Sequence, residues 1–256
     1  HSTSSGDGTD ISETAKEAVL PTAYFTFPES DVTGTEDPGI LAYGPVAYTE
    51  KTGTGSGDAK PVAIFARLKR AYAKVTVNYT AGTGVSITAL RVENIPTRIY
   101  PFPATGNSPT DAFMNVDLIV NAGQTTYSFF MPENLRGNGT STTAKEKNQP
   151  DNGPTQSGSA RNLDYCTCIV LTGTYNYYPN NTPENAANPI SVEYRFYPGA
   201  DMIRNYDIER GKHYTLTLDL KGANSADARV TITDGNVFTI ADPDDVTHKD
   251  DIVFGE

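Results

Sequence analysis

Two cysteines, three histidines and a run of acidic residues are the groups whose type and spacing could do chemistry in this chain. Cys166 and Cys168 form a Cys-x-Cys pair inside an apolar run. In an extended strand both point to one face, with Cα atoms about 6.5–7 Å apart. That spacing is at or beyond disulfide range, so the pair reads as two small buried apolar side chains. A metal site would need further His or Cys ligands close by, and His1, His213 and His248 are scattered. A Ser-His-Asp arrangement could use only His213 or His248, and His213 opens an alternating strand, which favours a structural role. No Gly-x-Ser-x-Gly, His-Glu-x-x-His or phosphate-cradling glycine motif is present. The segment from Asp242 to Asp251 clusters carboxylates that Ca²⁺ could use, but it lacks the spaced ligands and the glycine of a calcium loop. It reads as a solvated acidic tail. The tyrosines Tyr175, Tyr177, Tyr178, Tyr194 and Tyr197 admit two readings: stacking on sugars or a protein partner, or the commoner cross-strand packing. No residue is therefore assigned as catalytic, cofactor-binding or metal-binding, no cofactor is expected, and the chain reads as non-enzymatic.

Alternation of apolar and polar residues defines the elements that would position these groups. In Ala73-Lys74-Val75-Thr76-Val77-Asn78-Tyr79 the odd positions are apolar and the even ones polar, the period of a half-buried strand. The turn over 80–84 then predicts residues 85–92 as its partner strand. Further strands are expected over 23–27, 40–48, 62–67, 116–120, 126–131, 163–178, 190–197 and 213–220. Asp234-Gly235 between 230–233 and 237–240 is the chain's clearest hairpin signal. Prolines at 96, 101, 103 and 109 predict a long surface loop. Residues 136–162 carry almost no apolar side chain and predict one long exposed loop. Helix signals reduce to Ser12–Ala18. Glycine and proline (22 and 17 residues) cluster between the apolar runs. Together these predict an all-β chain of at least ten strands in antiparallel β-sandwich form.

The formal net charge of −11 argues against nucleic acid and anionic membranes as partners, since both require basic residues to neutralise phosphate. No run approaches the ~20 apolar residues of a membrane-spanning helix. The chain opens at His1-Ser-Thr-Ser-Ser-Gly without a methionine. It reads as a processed form or a fragment, with any signal or lipid anchor upstream.

Three ordered segments carry a resemblance. They are Phe65-Ala-Arg-Leu-Lys-Arg-Ala-Tyr-Ala73-Lys74-Val75-Thr-Val, then Phe129-Phe-Met131-Pro132-Glu133-Asn134-Leu135-Arg-Gly137, then Tyr194-Arg-Phe-Tyr197-Pro-Gly199 leading to Asn205-Tyr-Asp-Ile208-Glu-Arg210-Gly-Lys-His213-Tyr214. In that order they resemble the fimbrillin-like proteins of Bacteroidales surface pili, over roughly residues 60–256. The resemblance implies two transthyretin-like β-sandwich domains in tandem, which we place at residues 1–124 and 125–256. It also implies export as a lipoprotein to the outer membrane and fimbrium. The implied partners are other pilus subunits, joined by strand donation, and host or bacterial surface ligands. The competing expectation is a surface carbohydrate-binding lipoprotein with an aromatic platform around Tyr177, Tyr178 or Tyr197. Stalk subunits of this family are matured by cleavage after an arginine near the first strand. Here the first arginine is Arg67, where cleavage would cut into the core, so the expectation is a chain already processed upstream or a subunit that does not use this step. The N-terminal domain also reads as short of its first strands, and Ile252-Val253-Phe254 is the apolar cluster available to a C-terminal donor strand. Within the motifs, Pro132 is expected to end a strand, Gly137 and Gly199 to occupy positive-φ turns, and Arg210 to pair with a carboxylate or hold backbone carbonyls.

Overall fold

The computed structural model describes residues 24–34, 41–42, 46–50, 62–66, 69–100, 108–155, 160–176, 189–220, 222, 230–232 and 246–249. Besides two single-turn 3₁₀ helices, Glu146–Asn148 and Pro150–Asn152, within them lie fifteen strands and one short α-helix. In chain order they are β1 (Phe25–Thr26), α1 (Glu29–Thr33), β2 (Leu41–Ala42), β3 (Val46–Glu50), β4 (Val62–Ala66), β5 (Lys69–Arg70), β6 (Tyr72–Ala81), β7 (Val85–Pro96) and β8 (Arg98–Ile99). There follow β9 (Phe113–Leu118), β10 (Thr126–Pro132), β11 (Cys168–Tyr175), β12 (Ile190–Phe196), β13 (His213–Leu220), β14 (Val230–Ile232) and β15 (Val246–Lys249). The expected helix at 12–18, the turn at 234–235 and its second strand at 237–240 lie outside the described residues.

Two main sheets result. One runs β10–β6–β13–β15, the other β14–β12–β11–β7–β9. Alternation explains how they meet. In β6, Ala73, Val75, Val77 and Tyr79 are buried while Lys74, Thr76 and Asn78 between them are half-buried. In β13, Tyr214, Leu216, Leu218 and Leu220 repeat the pattern. These side chains join Leu90, Val92, Ile169, Leu171, Val192 and Tyr194 of the opposite sheet in one buried cluster. Burying two apolar faces against each other is the main stabilising term of a sandwich, at about 25 cal/mol per Å². Phe27 and Val32 belong to the same cluster, and α1 packs on β10 and β9.

Pairing differs from the sequence expectation in two places. First, β6 and β7 are not partners: the turn at 82–84, with Gly84 at φ +86°, sends them into opposite sheets. Alternation puts an apolar face on both strands but does not say whether they meet edge to edge or face to face. Second, β6 and β13 run parallel over eight residue pairs, in sheets otherwise antiparallel. In each main sheet a strand before residue 124 pairs with one after it, β6 with β10 and β7 with β11. The described strands of the two main sheets enclose one shared core.

Two further expectations are corrected. Residues 246–249, read as part of a solvated tail, form an edge strand on residues 217–220 of β13. Residues 136–155, read as exposed loop, fold back on the protein with Arg136, Ser141, Lys147, Gly153 and Pro154 buried. That covering explains why Cys168, Ile169, Val170 and Leu171 are buried in succession, on both faces of β11. A second apolar cluster of Cys166, Cys168, Val170, Tyr197 and Tyr206 lies under it.

Candidate functional site

The three motifs are neighbours in space. The first supplies β6, the second ends β10 on one side of β6, and the third leads into β13 on its other side. Pro132 is the last residue of β10, as its missing N–H requires. Immediately after it, Asn134 and Ile208 exchange main-chain hydrogen bonds of 2.8 and 2.9 Å. Glu133 and Arg210 flank this bridge and form an ion pair with Nε–Oε2 and Nη2–Oε1 both at 3.1 Å. Arg210 Nη1 also donates to the Tyr100 carbonyl at 2.8 Å. The expected alternatives for Arg210, carboxylate or carbonyl, are both realised.

Asn134 is fully buried and organises the junction. Its Nδ2 donates to Thr167 Oγ1 at 2.8 Å, to the Tyr165 carbonyl at 2.9 Å and to the Asn94 carbonyl at 3.4 Å. Its Oδ1 accepts from Arg136 Nε at 2.7 Å. Asn94 and Tyr165, two of these acceptors, have φ of +58° and +65°. Such angles are uncommon outside glycine and persist only where surrounding bonds hold them. Asn94 stands within β7, where the register of its pairing with β9 shifts, and its N–H donates to Asn115 Oδ1 at 3.0 Å.

Arg136 is 1% exposed. Its Nη2 donates to the carbonyls of Ser108 at 2.6 Å and Pro109 at 2.9 Å. Its guanidinium carbon lies 5.7 Å from the Phe113 ring and 6.0 Å from the Tyr165 ring. Burial lowers its pKa. Asp207 Oδ1 accepts the main-chain N–H of Arg136 and of Gly137, both at 2.6 Å. Gly137 has φ +79°, as expected. Gly199 does not adopt a positive φ; it is needed for a close approach, because a Cβ there would sit 1.9 Å from the Asn205 carbonyl oxygen.

Lys147, also 1% exposed, anchors the far end of the folded loop. Its Nζ donates to the Asp201 carbonyl at 2.7 Å and lies 4.9 Å from the Tyr206 ring centre. The Tyr206 hydroxyl returns a 2.6 Å bond to the Lys147 carbonyl. Burial pushes the Lys147 ammonium down to about 7, against the pull of Asp201. Burial also raises the Asp201 carboxyl, but three backbone N–H donors from residues 203–205 and Lys147 outweigh it and hold the group below its ordinary range.

Residues 129–218 match the family described as Domain of unknown function (DUF4906). This covers the second and third motifs and the folded loop between them. No curated protein matches. Similar solved structures include the tip fimbrial protein Mfa3 of Porphyromonas gingivalis in a C-terminally truncated form, at 14% identity and TM-score 0.39, covering 72% of this chain and 52% of that one. A candidate cell-adhesion protein of Bacteroides eggerthii matches at 16% identity and TM-score 0.37, covering 74% and 57%. A fimbrilin of Porphyromonas gingivalis matches at 13% and 0.33, covering 70% and 62%. This chain thus spans between 52% and 62% of the length of these three proteins. They are Bacteroidales fimbrial and adhesion proteins, the group that the sequence motifs resemble. Identities and TM-scores this low carry no argument about what the chain does.

The remaining candidates fall as follows. Cys166 and Cys168 are free and buried, and burial pushes both thiols up to about 12, where they stay protonated and unreactive. His213 Nε2 shares a 2.8 Å hydrogen bond with Thr76 Oγ1, and burial with Lys74 lowers its pKa. Among the described residues no group of three or more His, Cys, Asp or Glu could hold a metal, and no helix is long and apolar enough to cross a membrane. Tyr175 and Tyr194 are buried in the main core and Tyr197 in the second cluster, which is the cross-strand packing role. Tyr177 and Tyr178 lie outside the described residues. Sequence reasoning missed Asn134, Arg136 and Lys147 as organisers. The available signal was three basic side chains, Arg136, Lys145 and Lys147, inside a segment rich in Asn, Gly and Thr.

Proposed function

We propose that this protein is a fimbrial or adhesive subunit of the bacterial cell surface, non-enzymatic, that assembles by strand complementation. The observation that carries the reading is spatial. The three segments resembling fimbrillin-like proteins, separated by up to a hundred or so residues, come together in one sheet and one buried junction around Asn134, Glu133 and Arg210. A resemblance spread over unrelated surfaces would not have that property. The reading includes export as a lipoprotein with an anchor outside this chain, and other pilus subunits as the partners.

Strand complementation acts on this framework at an edge. β15 supplies four residues against β13, which is eight residues long. A short edge strand late in the chain is a position where a neighbour's strand could substitute, because main-chain hydrogen bonds supply the affinity and alternate side chains the selectivity. The expected experiment has two arms. A chain ending at residue 240 should bind a peptide of residues 241–256 in trans, saturably and with a rise in melting temperature. Antibody should label intact expressing cells. Absence of trans binding would remove the strand-complementation step. Labelling only after lysis would remove the surface assignment.

A further inference from the structure

We infer that Arg136 is the cation of a binding site for a small carboxylate, capped by the Phe113 and Tyr165 rings. The inference is independent of assembly by strand complementation. It starts from an energetic imbalance. Arg136 is 1% exposed, and among the described residues the acceptors of its side chain are three neutral oxygens: Asn134 Oδ1 and the carbonyls of Ser108 and Pro109. Among the described residues its buried Nη1 has no hydrogen-bond partner. A guanidinium taken out of water is tolerated when its charge is met and its N–H groups are bonded. Among the described residues the carboxylate that interacts with it, Asp207, spends its Oδ1 on the main-chain N–H groups of Arg136 and Gly137 and its Oδ2 on Asn205 Nδ2. Asp111, on the neighbouring segment, is paired with Arg98 at 2.6 Å. The segment 101–107 preceding Ser108 contains no acidic residue.

Access lies on the aromatic side. The Phe113 and Tyr165 rings stack at 5.5 Å with an interplanar angle of 25°, and Tyr165 is 36% exposed. Tyr165 holds φ +65°, a conformation uncommon outside glycine. A carboxylate slipping past this ring would accept from Nη1 and bring the missing negative charge, while the rings would cover an apolar body attached to it. The class of ligand is therefore a small organic acid, free or as the acid group of a sugar.

The test is a titration of the full wild-type chain, read by the side-chain N–H signals of Arg136 and the amides of Gly137, Tyr165 and Asn134 at constant ionic strength. Acetate is the probe for the carboxylate alone, glucuronate for an acidic sugar and glucose for a neutral one. The expected result is a saturable shift centred on Arg136 with acetate or glucuronate, at a Kd on the order of 1–10 mM, and none with glucose. Glucuronate binding at least tenfold tighter than acetate would assign the sugar acid as the source; equal binding would assign a free acid. A Tyr165→Ala chain, which keeps Arg136 and its three acceptors, should change the affinity severalfold while leaving the fold intact. No saturable shift at Arg136 up to about 50 mM, or shifts confined to exposed lysines, would overturn the inference.

Discussion

Removing Arg210 should destabilise this protein far more than removing Arg210 and Glu133 together. Both side chains are less than a tenth exposed, and they meet through two N–H···O contacts of 3.1 Å. An Arg210→Met substitution keeps the apolar bulk but leaves the Glu133 carboxylate buried without its partner. Breaking a buried pair this way costs about 3–5 kcal/mol. Glu133→Met leaves the guanidinium with the Tyr100 carbonyl at 2.8 Å and should cost somewhat less. In the double variant no charge is stranded. What remains includes the loss of the bond to the Tyr100 carbonyl and of the contact with the Arg210 main-chain N–H, about 1–3 kcal/mol for the two. The two single effects should therefore exceed the double by at least about 2 kcal/mol. Urea unfolding followed by circular dichroism, run on all four chains at one pH, measures this coupling directly. A double variant whose loss equals the sum of the singles to within about 0.5 kcal/mol would refute the reasoning, because it would mean that the two charges act independently and the junction is held by its main-chain bridge alone.

Two other outcomes follow from the same region. Lys147 is held near 7 when folded, against an ordinary 10.5, so the unfolded chain binds a proton that the folded chain lacks between those values. Its contribution to stability thus rises as pH climbs through that window, by a few kcal/mol on the order-of-magnitude scale of such shifts, and its penalty is fully present below about 7. The stability gap between wild type and Lys147→Met should widen in favour of wild type from pH 7 to pH 10, and a pH-independent gap in denaturant titrations would contradict this. Gly199→Ala should lower stability by at least about 1–3 kcal/mol, because the added Cβ meets the Asn205 carbonyl oxygen rather than a movable side chain. A melting temperature unchanged within error would show that the 199–205 turn can open without loss.

The strands were the legible part of this fold, for a physical reason. Period-two alternation reports which side of a strand faces the core, so β6, β10, β12 and β13 lie where the sequence predicts them to within a residue or two. The same alternation is silent on partners. Val85–Pro96 is apolar on the face that looks into the core, whether it pairs beside β6 or lies across from it, and it lies across. The parallel union of β6 with β13 joins residues more than a hundred positions apart and has no local turn to announce it. Alternation is equally silent on the pairings β6–β10 and β7–β11, which join strands on either side of residue 124.

The candidate site was hidden by a different feature of the chemistry. Exposure of a polar segment follows from its composition only if its polar groups have nowhere better to bond than water. Between residues 133 and 155 they do. Asn134 divides its amide among three acceptors, and Asp207 takes two main-chain N–H groups. Ser141 Oγ donates to the Ile203 carbonyl, and Lys147 Nζ to that of Asp201. Each such bond removes the penalty for leaving water, and the segment then gains by covering Cys168, Val170 and Tyr206. A loop so constructed is buried because it is polar in the right places, not despite being polar. That logic leaves one group out. Among the described residues Arg136 Nη1 has the burial without the bond. In a segment where every other buried cation and amide meets an acceptor, that single exception is the place where a ligand's oxygen would complete the pattern.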